Sequence, residues 1–175
     1  MPQRGSNVRS LERFLDFEEQ CHIEIQLLQE IVTELQHILQ EVDKNISTNT
    51  IISLRNRAAA ANFSQSFYNG IENILKRTSK YNGIVLPSNE HWHSELAERF
   101  TERDSSEYGL PVLLTAEIVA PMTILRRFRH VIMHGYAMNL DWERMRQNVE
   151  LIPHIFPIFH ATLNEYLQQE KNFFT

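Results

Sequence analysis

From Leu11 to Val42 the apolar residues return at helical spacing, with Cys21, Ile25, Leu28, Val32, Leu35, Leu39 and Val42 alternating four and three apart. That spacing keeps one stripe on one side of an α-helix, and it predicts a long amphipathic helix with a seam for a neighbour. Asp43 to Asn49 reads as a polar break. Ile51 to Lys80 forms a second long pattern, with Ala60, Phe63, Phe67, Ile71 and Ile74 on one face. Its alanines 58–61 favour helix and let another helix approach closely.

The rest of the chain is more broken. Tyr81 to Asn89, with Gly83 and Pro87, reads as a loop, Glu90 to Glu102 as a short helix, and Asp104 to Pro111 as a second, polar loop. Thr115 is placed to cap the next helix, with Glu117 in the first turn, where a carboxylate suits the helix dipole. Pro121 should kink that helix or mark its true start, and Gly135 should end it. Asp141 is placed to cap the last helix, with Leu140 and Met145 as a hydrophobic staple. Pro153 and Pro157 should bend that helix before it runs out near Phe173. No alternation of period two persists and no internal repeat is present. The expected class is all-α, a bundle of about five helices with two long ones first and a kinked one last.

Composition adds bounds. A chain of 175 residues fits one domain spanning 1–175, which would bury roughly 70% of the surface exposed on unfolding. Residues 1–9 are polar and are expected to form a flexible tail. The single cysteine, Cys21, excludes an intrachain disulfide and points to a buried thiol in a reducing compartment. Without an apolar leader or a run of about eighteen apolar residues, the expected location is cytoplasmic, with no membrane partner.

The net charge of −5 argues against a general coat for nucleic acid, which needs a basic surface to displace counterions. The charge is unevenly spread. Between Arg126 and Arg146 there are five arginines against Asp141 and Glu143, a local +3 on a remainder of −8. A basic patch on an acidic body suits contact with a few phosphates at one place. It is equally the pattern of a solvated helix face.

That patch contains the chain's densest candidate chemistry, Arg126-Arg127-Phe128-Arg129-His130-Val131-Ile132-Met133-His134-Gly135-Tyr136. Arg129, His134 and Tyr136 form R-x-x-x-x-H-x-Y. Residues five apart differ by about 140° around a straight helix, so Arg129 and His134 converge only if the helix ends near Gly135 or a second subunit completes the site. Arg127, seven before His134, is the competing phosphate contact. His130 and His134, four apart, could share a zinc ion with Asp141, but that needs a further ligand and the arginines would repel a dication. Glu90, His91 and His93 make a second cluster, yet in a helix alternate residues diverge. No metal and no cofactor is expected.

The R-x-x-x-x-H-x-Y run resembles the HepT-like ribonuclease toxins of the HEPN superfamily, whose fold is a HEPN-like helical bundle. The likeness continues outward. Arg129-His130-Val131 through Leu140-Asp141-Trp142 is similar to a family run that leads from an FRH triplet through HxY to an LDW helix start. Phe67 to Leu75 resembles the family's second long helix, and Trp92-His93-Ser94-Glu95-Leu96 the tryptophan-histidine that opens its short helix. The similarity spans Leu11 to Tyr166. One departure is Met133, where many members carry arginine.

What the resemblance implies is a metal-independent endoribonuclease, the toxin of a type VII HEPN/MNT toxin–antitoxin pair, with tRNA as the target class. Arg129 and His134 would be its catalytic pair, with Arg126, Arg127 and His130 as further contacts to RNA phosphate. Histidine titrates near neutrality and suits proton transfer, while arginine keeps its charge and offers a planar fork to a phosphorane-like transition state. One histidine per subunit favours a homodimer with both motifs at one cleft. The implied partner is a minimal nucleotidyltransferase antitoxin that transfers AMP to Tyr136. Two other readings are a non-catalytic HEPN module that binds a nucleotidyltransferase or nucleotide, and a plain dimerisation bundle.

Overall fold

The computed structural model describes residues 10–47, 53–133 and 141–174. Among them six helices follow one another: α1 (Leu11–Ser47), α2 (Leu54–Tyr81), α3 (Trp92–Glu98), α4 (Ser105–Tyr108), α5 (Ala116–Met133) and α6 (Trp142–Asn172). The class is all-α, a HEPN-like bundle, with no strand among the described residues. The helix beyond the expected five is α4, a single turn inside what the sequence suggested was a loop; Gly109 ends it in the left-handed region at φ 66°.

The periodic stripe of α1 is buried from Phe14 and Phe17 through Cys21, Ile25, Leu28, Val32, Leu35, Ile38 and Val42. Ile38 takes the seam position expected of Leu39, which is only partly buried. The polar break expected at Asp43 does not stop α1, which continues to Ser47. No glycine or proline interrupts Asp43 to Ser47, and Arg146 of α6 pairs with Asp43 at 2.5 Å.

Helix α2 starts where Ser53 accepts from the Asn56 backbone N–H and runs antiparallel to α1. Arg13 donates to the carbonyls of Lys80 and Tyr81 at the far end of α2, and Glu24 pairs with Arg77 at 2.5 Å. Gly70 marks a close approach: a Cβ there would lie 2.6 Å from Leu28 Cδ2 and 3.1 Å from Glu24 Oε1. Gly70→Leu is therefore expected to cost about 1–3 kcal/mol through overpacking, read as a lower urea midpoint. An unchanged midpoint would show that the α1–α2 seam can part. Burial beside this seam pushes the Cys21 thiol up to about 12.

Helix α6 covers the α1–α2 pair, antiparallel to α1. Tyr81 stacks on Phe17 with ring centroids 4.4 Å apart and donates its hydroxyl to Glu170, while Asn82 donates to Tyr166. Asp141 caps α6 as expected, accepting from the Glu143 N–H at 3.1 Å. Leu140 and Gly135, the expected staple partner and helix stop, lie outside the described residues. Pro153 and Pro157 both sit inside α6.

One other boundary differs from expectation. Helix α3 covers only Trp92–Glu98, because Phe100 turns its carbonyl to the N–H groups of Leu113 and Leu114 instead of continuing the helix. Helix α5 starts at Ala116, so Pro121 lies inside it and not at its start. Thr115 leads into α5 with its carbonyl, which accepts from Ile118 and Val119, while its buried hydroxyl makes no protein hydrogen bond. No described helix is long and apolar enough to cross a membrane.

Candidate active site

Helix α5 buries Ile118, Met122, Leu125 and Phe128, which sets the direction of its arginines. Arg126 and Arg129 are half-buried on the side facing α2 and α3, whereas Arg127 and His130 are exposed. Of Arg127 and Arg129, only Arg129 enters a polar cluster. Helix α2 meets α5 antiparallel: Gln65 donates to Met133 Sδ at 2.9 Å, and Asn69, one turn on, reaches Arg129.

The cluster is built from three helices. Arg129 Nε donates to Asn69 Oδ1 at 2.9 Å, its Nη1 lies 3.5 Å from His93 Nε2, and its guanidinium carbon stands 5.8 Å from the centre of the Tyr68 ring. His93 Nδ1 meets the Glu72 carboxylate. Glu72 is 3% exposed and also receives the Tyr68 hydroxyl. Burial, then the neighbouring Glu72 charge, pushes the Tyr68 phenol above its ordinary range, with Arg126 and Arg129 opposing. Positions 65, 68, 69 and 72 share one side of α2 by helical spacing, so that helix presents a continuous polar edge.

Beside the cluster lies a cavity of about 70 Å³ whose walls include Tyr68, Ser94, Glu98, Thr123 and Arg126. Outside α3, the Lys76 ammonium stands 4.6 Å from the centre of the Trp92 ring, and Trp92 stacks against His93.

The second histidine cluster divides. His93 turns inward to Glu72, while His91 is exposed at the start of α3 and Glu90 is exposed before it. Among the described residues no three His, Cys, Asp or Glu side chains gather as a metal ion would require. His134 and Tyr136 lie outside the described residues, and with them the His130–His134–Asp141 arrangement. Asn69, Glu72 and Tyr68 were not singled out individually by sequence reasoning. The available signal was a carboxylate at position 72, in a stretch of α2 where Phe67, Ile71, Ile74 and Leu75 already fill the core.

The bundle thus gathers an arginine, a histidine and a buried carboxylate where α2, α3 and α5 meet. The family model described as HepT-like protein matches residues 59–170, from within α2 to near the end of α6, and the chain belongs to that family. The match ties it to HEPN-type toxins and to a family generally associated with ribonucleases. No curated protein and no solved structure is matched.

Proposed function

We propose that this protein is the ribonuclease toxin of a HEPN/MNT pair, a single HEPN-like domain acting as a homodimer that cuts RNA, with tRNA the target class, without a metal. The observation that carries the reading is the held Arg129 guanidinium, bonded to Asn69 at 2.9 Å and facing His93 at 3.5 Å, five residues before His134 in the R-x-x-x-x-H-x-Y run. Membership of the HepT-like family supports it.

In the proposed reaction the substrate's 2′-oxygen attacks the adjacent phosphorus and the bond to the 5′-oxygen breaks. The proton lost from the 2′-hydroxyl passes to a base and one is returned to the leaving 5′-oxygen, giving a 2′,3′-cyclic phosphate and a 5′-hydroxyl. His134 handles protons, since imidazole exchanges them near neutral pH. Arg129 holds the charge that builds on the phosphoryl oxygens. Arg126, half-buried on the same side, and the exposed Arg127 and His130 give further phosphate contacts.

Tyr136 is the proposed switch. Its hydroxyl oxygen attacks the α-phosphorus of ATP on a nucleotidyltransferase antitoxin, pyrophosphate leaves, and the attached AMP puts negative charge where RNA phosphate must sit. Incubating the purified chain with bulk tRNA in EDTA is expected to give fragments ending in 2′,3′-cyclic phosphate. Intact tRNA at micromolar enzyme would overturn the ribonuclease reading in favour of a non-catalytic binding module. Tyr136→Phe is expected to cut RNA normally and to gain no AMP mass from the antitoxin; a mass gain on that variant would place the acceptor elsewhere.

A further inference from the structure

Glu72 places a carboxylate in a stretch of α2 that is packed on nearly every side, and such a group persists in a core only when its oxygens are met. They are met by His93 and by the Tyr68 hydroxyl. A carboxylate only accepts hydrogen bonds, so His93 presents Nδ1–H to Glu72, and in the neutral ring Nε2 then carries the lone pair. That lone pair faces Arg129 Nη1 at 3.5 Å. The imidazole is also backed by the Trp92 ring, with centroids 3.5 Å apart, and Lys76 lies over Trp92 in turn. From α2, Asn69 takes the Arg129 Nε–H at 2.9 Å. These contacts hold the guanidinium at two of its nitrogens and use two of its five N–H donors.

We propose that Glu72 and His93 form a positioning pair for Arg129, in which the carboxylate fixes the imidazole and the imidazole, with Asn69, fixes the plane of the guanidinium. The remaining N–H edge then meets a phosphodiester already oriented. The identity of that anion rests on the ribonuclease reading; the positioning itself does not. His93 is thus a residue that acts through Arg129, and its removal resembles the loss of an outer partner of a catalytic group, which lowers activity by about 10–100-fold.

The test uses the full chain and bulk tRNA in EDTA, with thermal melting to confirm that each variant is folded. His93→Ala is expected to lower kcat by about 10–100-fold with KM nearly unchanged. Adding His93→Ala to Arg129→Ala is expected to cost nothing more, because the first acts through the second. Glu72→Gln, whose amide oxygen still accepts from Nδ1–H, should retain most activity, and Glu72→Leu should match His93→Ala. Losses that multiply in the double variant would overturn the proposal. Nitrogen-15 NMR of the Arg129 Nε–H provides an arm independent of cleavage. A slowly exchanging signal in the wild type should broaden or vanish in His93→Ala. If that signal is unchanged the positioning pair is refuted even where tRNA is cut, and if it is lost the pair stands even where no tRNA is cut and the ribonuclease reading has failed.

Discussion

Alanine at Arg129 or at His134 is expected to lower tRNA cleavage by about a hundred- to a thousandfold, the range for removing one transition-state donor or one proton-transfer group. The two losses should differ in kind. Arg129 is committed to Asn69 and His93, so the informative substitution is Arg129→Lys, which keeps the charge. A lysine offers one ammonium where the site is shaped for a planar fork, and it cannot meet Asn69, His93 and a phosphate together. Arg129→Lys should therefore recover little of the lost rate. Full activity in that variant would mean that charge alone suffices and that the fork geometry is incidental. For His134→Ala, a variant that still cuts tRNA in EDTA would remove histidine from the mechanism. Melting temperatures near the wild type are expected for the Arg129 variants, because its side chain is only half-buried.

Glu72→Leu should produce the largest loss of stability among the site variants, about 2–4 kcal/mol. The leucine has a similar volume but leaves the part-buried His93 Nδ1–H and the buried Tyr68 hydroxyl without the carboxylate, and an orphaned donor costs about 1–3 kcal/mol where it is fully buried. Removing a buried charge offsets part of this. Helix α3 should feel the change most. At seven residues it is too short to persist alone, and it is fastened to α2 by His93 on Glu72 and by the buried Leu96. Glu72→Gln preserves the acceptor for Nδ1–H and is expected to stay within about 1 kcal/mol of the wild type. Urea unfolding decides between these outcomes, and a leucine variant as stable as the wild type would show that the network contributes little to the fold.

The long helices were legible because burial in a bundle imposes a period on the residues themselves: Phe14 to Val42 and Ala60 to Ile74 carry it openly. Their ends were less so. Polar residues at 43–47 resemble a break, but α1 persists there because no residue breaks it and Arg146, 103 positions from Asp43 in sequence, holds it. The turn at Ser105–Tyr108 was hidden by its polar composition. At the site, the arginine was marked by its motif, and the segments around Asn69 and His93 by family likeness. The pairing itself was not visible, since Arg129 meets partners 60 and 36 positions away. Local spacing carries no record of such contacts. It also grouped His93 with Glu90 and His91, when tertiary packing turns His93 alone toward α2.

The close approach at Gly70 bears on how such a site can be altered. Asn69 and Glu72 flank a segment, Gly70 and Ile71, that is locked against α1 on one side, while Phe67 packs on Phe156 of α6 nearby. Re-aiming either polar residue by rotating or shifting α2 would unseat the seam with α1 and the packing on α6 together. Helix α3 is short and joined by loops, and it is held by the buried Leu96 and by His93 on Glu72. Substitutions that spare both the site and its seams are therefore expected at exposed positions such as Val85 and Leu86, with α2 and His93 left as they stand.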